Sequence, residues 1–144
     1  MTSPRPDSDR QAFTMVEMLI VIAVIGIMSA LVISAFSNAA QDTRRVVARQ
    51  QQVAVQNAVN AWVNSTSQQS GLSEARRLYN LAGTSKGRLT LVGGYLDDST
   101  LSHFLNPSNT TNDAEVKSAA LKKTNQYLSL GTWSATSYPK VELR

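Results

Sequence analysis

Nineteen consecutive residues, Met18 to Phe36, carry no charge, and a glutamate, Glu17, stands directly in front of them. As a helix rising 1.5 Å per residue, this run reaches about 28 Å, the thickness of a bilayer's hydrocarbon core. Its β-branched residues do not make it a strand, because strands rarely exceed about ten residues. A carboxylate inside such a segment is costly, about 2.5–3.5 kcal/mol for a charge at the helix centre. Near one end the cost is smaller. Glu17 still calls for a partner.

The rest of the chain narrows the function classes. Setting the run and its leader aside leaves roughly 105 of 144 residues, enough for one modest core and too few for a large enzyme cleft. Fourteen Lys and Arg stand against ten acids, a net charge of +4 spread along the chain. That balance argues only weakly for a polyanion partner. Cysteine is absent, which excludes disulfides, thiolate zinc sites and a cysteine nucleophile. Histidine occurs once, at His103, which excludes any site that needs two imidazoles.

Residues 1–12, "MTSPRPDSDRQA", are polar and contain Pro4 and Pro6, a pattern expected to be extended and disordered. Beyond Phe36, Ala48, Val55, Val59 and Trp62 fall on one helical face, while Arg45, Arg49, Gln52 and Gln56 lie largely off it. No Pro or Gly separates this stretch from the apolar run, so one continuous helix is expected from about Phe13 to Asn64, ended by "NSTSQQSG". A short helix capped by Ser73 and stopped at Gly83 should follow, with Leu72, Ala75, Leu78, Tyr79 and Ala82 inward. "GRLTLVGGYL" reads as a strand broken at Gly93-Gly94, or as a helical turn around Leu89–Val92. "DSTLSHFLN" reads as a helix capped by Asp98 or Ser99, and "NQYLSLGTWS" and "SYPKVELR" as two strands. The expected fold class is α+β, a long amino-terminal helix packed on a small antiparallel sheet near the carboxyl end.

The segment "AFTMVEMLIVIAVIGIMSALV" resembles the amino-terminal signature of type IV pilins and the pseudopilins of type II secretion. In that family a polar leader ends in a small residue, usually glycine, before a phenylalanine. Glutamate is fifth counting from that phenylalanine, and a glycine follows nine residues later. Here Ala12, Phe13, Glu17 and Gly26 hold those places. The resemblance implies cleavage by a prepilin peptidase between Ala12 and Phe13, and N-methylation of Phe13. It implies further that Glu17 pairs with the Phe13 amine of a neighbouring subunit, fixing the stagger of a filament. Two departures stand out: Ala12 replaces the usual glycine, and Ser34 stands where many pilins have a proline.

The implied organisation is a cleaved cytoplasmic leader (1–12), a transmembrane and assembly half of the helix (13–36), an amphipathic half (37–66) and a periplasmic head (67–144). Gly26, Val55, Val59 and Trp62 are expected to pack the helix. The implied partners are copies of itself, minor pilin-like subunits, the prepilin peptidase, the inner-membrane platform protein and, before assembly, the membrane. The resemblance implies no enzyme activity. No cofactor is expected, and no metal, since Asp97, Asp98, Asp113 and Glu115 lack the spacing of a calcium loop. His103 reads as a surface or half-buried helix residue. Arg76-Arg77 and Lys122-Lys123 read as solvated faces, so nucleic acid is not an expected partner, although a competence-type role in DNA uptake is an alternative. Two further alternatives are a single-pass anchored envelope binding module and a domain secreted by ordinary signal peptidase after Ala39 or Ala40. Arg44, Arg45 and Arg49 beyond the run outweigh Arg5 and Arg10 before it. Counted alone, these charges favour the reverse orientation, and the cytoplasmic leader rests on the motif.

Overall fold

The computed structural model describes residues 14–144. The chain is mostly helical and α+β, as expected: a helix α1 at Met15–Ser70, then α2 (Leu72–Leu81), α3 (Ser85–Val92), α4 (Asp98–Leu105), α5 (Ala119–Lys123), and strands β1 (Leu128–Leu130) and β2 (Val141–Leu143). The described residues divide into two compact units on either side of the Ala40–Gln41 junction.

α1 runs six residues past the expected stop at Asn64. Gln68 and Gln69 are good helix formers, and isolated Ser and Thr cost only tenths of a kcal/mol each. The break comes at Gly71, whose φ of +85° a side chain would oppose. Gly71 also serves α2: its carbonyl accepts the first helical bond, from the Ala75 amide at 3.1 Å, so Ser73 lies inside α2 and is not its cap. Ala75 and Tyr79 are buried, whereas Leu72 is exposed. The helical alternative around Leu89–Val92 is the one adopted, and the helix begins earlier than that turn, at Ser85. Thr84 caps α3 by accepting the Gly87 amide at 3.1 Å, and Leu89 and Val92 are fully buried at helical spacing. Asp97, one residue ahead of the expected cap, holds the start of α4 through the Thr100 amide at 3.1 Å.

β1 and β2 pair antiparallel, with Leu128 opposite Leu143, Ser129 opposite Glu142 and Leu130 opposite Val141. Two strands of three residues are marginal alone. Side chains complete the ladder. Gln56 of α1 accepts the Val141 amide at 2.7 Å and donates to the Pro139 carbonyl at 3.2 Å, occupying the β2 edge as another strand would. Gln52 donates to the Val141 carbonyl at 2.9 Å. Asn80 does the same for Trp133, accepting its amide and donating to its carbonyl, both at 2.9 Å. On the far side of β1, Val116 bridges Leu128, and Ser85 and Arg88 take the amide and carbonyl of Leu130.

Val55, Val59 and Trp62 of α1 join Tyr79, Leu89, Phe104, Leu121, Leu128, Leu130 and Trp133 in one core. The Tyr79 ring stands 6.0 Å from Trp62 and 6.3 Å, edge-on, from Trp133. The Arg88 guanidinium lies 5.4 Å from the same ring, a cation–π contact. Burial pushes the Tyr79 phenol up to about 12, against a smaller opposing pull from Arg88. Because the folded value lies above the unfolded one, near 10, this stability is fully present below pH 10. It is lost as pH rises toward about 12, where the unfolded chain binds fewer protons. The buried hydroxyl has no hydrogen-bond partner among the described residues. Tyr79→Phe should therefore leave stability at neutral pH within about 1 kcal/mol of the parent. It should flatten the loss between pH 10 and 12, read by urea titration across that range; an unchanged alkaline slope would assign the loss to other groups.

Candidate functional site

Ala12 and Phe13, the expected cleavage and methylation positions, lie outside the described residues. The described chain starts at Thr14, where a feature not expected from the sequence appears. The Thr14 amide donates to Glu17 Oε2 at 3.0 Å, and the Glu17 amide donates to Thr14 Oγ1 at 3.3 Å. This is a reciprocal capping box, and "TMVE" carries its Thr-x-x-Glu pattern. Glu17 thus has a role within a single chain: its carboxylate covers the Thr14 amide while Thr14 covers the Glu17 amide, and the positive end of the helix dipole favours a negative charge there. The carboxylate is turned back toward the chain's start, the end at which cleavage would create an amine. Its second oxygen, Oε1, makes no hydrogen bond among the described residues.

Behind this cap, the helix is apolar all round. The large hydrophobic side chains from Met15 to Phe36 are 47–84% exposed. A Cβ added at Gly26 would meet nothing within 4 Å. The apolar part of α1 is long enough to cross a membrane, and none of it is buried. A helix apolar on every face is matched by lipid or by other helices and not by water.

Among the remaining candidates, His103 is exposed, and its Nε2 accepts the Ala119 amide at 3.1 Å, tying α4 to α5. Asp97 caps α4; Asp113 pairs with Lys86 at 3.2 Å and Glu115 with Lys117 at 2.8 Å. Among the described residues, no group of three or more His, Asp or Glu side chains is gathered where it could hold a metal ion.

Comparison with known proteins falls on the same segment. Residues 7–33 match the prokaryotic N-terminal methylation motif, the signature of pilins and pseudopilins. The match spans Ala12, Phe13, Glu17 and Gly26 and ends within the apolar run. The match covers residues 7–33 of a 144-residue chain, so the likeness is to the motif and leaves the head unmatched. No curated protein and no solved structure matches the chain.

Proposed function

We propose that the chain is a structural subunit, not an enzyme, of a type II secretion pseudopilus or a type IV pilus. The methylation motif running into an exposed apolar stretch of helix is the observation that carries this reading. A prepilin peptidase removes residues 1–12 on the cytoplasmic side of the inner membrane and methylates Phe13. The segment 13–36 then holds the subunit in the membrane, with its head in the periplasm, until the platform protein moves it into a filament. In the filament, apolar helices of neighbouring copies replace lipid around Gly26, and Glu17 Oε1 receives the Phe13 amine of the adjacent copy. Each charge is expensive when unpaired in that apolar bundle, so their match sets the stagger. Minor pilin-like subunits add by the same rule.

The test is fractionation of cells that also hold the peptidase and platform protein. The processed chain is expected in a sheared, sedimenting filament fraction. A chain confined to the membrane fraction at full length would instead favour a single-pass anchored module.

A further inference from the structure

Four basic side chains remain unexplained by the filament reading. Arg44 and Arg45 of α1, with Lys123 at the end of α5, line a cleft of about 400 Å³ together with Gln41, Thr124 and Gln126. Arg45 and Gln126 also line an adjoining cleft of about 270 Å³ with Arg49 and Leu143. Opposing charge is scarce. Among the described residues, the ion pair in this cluster is a loose one between Arg45 and Asp42 at 3.8 Å, both side chains more than 70% exposed. No carboxylate comes within ion-pair distance of Arg44, Arg49 or Lys123 among the described residues. Like charges brought together from two elements repel, so the arrangement favours an anion between them.

The place of these residues along the chain says which anion. Gln41 follows Phe36 by five residues and Arg44 by eight, so along the chain both come directly after the apolar run. A headgroup layer is roughly 5–8 Å thick, and an arginine can bend its stem back toward it. If the apolar run spans the bilayer, Gln41 and Arg44 follow its end closely enough in the chain for their side chains to meet lipid headgroups. We infer that the cleft formed by Arg44, Arg45 and Lys123 clasps the phosphate of an anionic phospholipid at the membrane surface before assembly. The arginines offer forked donors suited to phosphate oxygens, Lys123 adds a point charge, and Thr124, Gln41 and Gln126 offer hydrogen-bonding groups for a glycerol headgroup. This also gives a role to charges that the positive-inside rule alone would place on the other side of the membrane. The inference rests on the membrane-spanning part of the proposed function.

The test uses the full chain in nanodiscs of about one part phosphatidylglycerol to three of phosphatidylcholine, with native mass spectrometry of the lipids retained on release. Each basic residue near an anionic surface contributes about fivefold in affinity before screening. The parent should retain phosphatidylglycerol over phosphatidylcholine by about tenfold after correction for composition. A triple variant, Arg44→Gln with Arg45→Gln and Lys123→Gln, should fall to about parity while its circular dichroism is unchanged. A control, Arg77→Gln with Lys86→Gln, should keep the preference. Parity in the parent, or a preference that survives in the triple variant, would overturn the clasp. So would removal of the lipid by inorganic phosphate, which would mark a soluble-anion site, or by a DNA oligonucleotide, which would mark a nucleic-acid surface. Failure to enter nanodiscs at all would overturn the membrane span itself. Entry without headgroup preference sinks the clasp alone.

Discussion

Glu17→Ala is expected to abolish filaments while leaving membrane insertion, cleavage and the folded head intact. Removing one side of a buried charge pair typically costs about 3–5 kcal/mol, and here the loss recurs at every subunit added. The capping box complicates this variant, because alanine also removes the bond to the Thr14 amide, worth about 1 kcal/mol. Glu17→Gln separates the two roles. A glutamine keeps the Thr-x-x-Gln form of the box and loses the charge. If pairing with the neighbour's amine is what matters, Gln and Ala should fail alike, whereas Glu17→Asp, shorter by one methylene, should be intermediate. If capping is what matters, Gln should assemble as the parent does and Ala should not. Filament yield after shearing, scored beside monomer level and cleavage state, reads the difference.

The second large effect is expected at Trp62. Its indole is 8% exposed and stacks at a tilt against Tyr79, where α1 meets α2. A fragment lacking residues 1–36 keeps the whole unit 41–144 and should be soluble and monomeric. In that fragment Trp62→Ala should cost about 3–5 kcal/mol, the range for deleting a buried aromatic side chain. Urea unfolding measures it. A loss below about 1 kcal/mol would mean that the core closes over the gap.

The same region shows what was legible. Ala48, Val55, Val59 and Trp62 share a stripe at helical spacing, and Leu128 and Leu130 alternate with Ser129; period alone places these side chains inward. Period cannot place Gln52 and Gln56. They are polar and lie off the stripe, yet their side-chain amides pair with the edge of β2, a need that exists only once two short strands have formed. "RLTLV" misleads for a related reason. Its β-branched residues suit a strand, but the Thr84 cap and the inward pair Leu89 and Val92 make it a helix against β1. At the amino terminus, Glu17 could be singled out because a charge stands out beside nineteen uncharged residues. Its bond to Thr14 was equally open to view in "TMVE", masked by the stronger signal beside it.

The mature amino terminus tests the account most directly. Mass spectrometry of the chain extracted from membranes of cells with an active prepilin peptidase should find Phe13 as the first residue, carrying one methyl group on its amine. A chain that still begins at Met1 or Thr2 in those cells, or one that begins at Ala40 or Gln41, would contradict it.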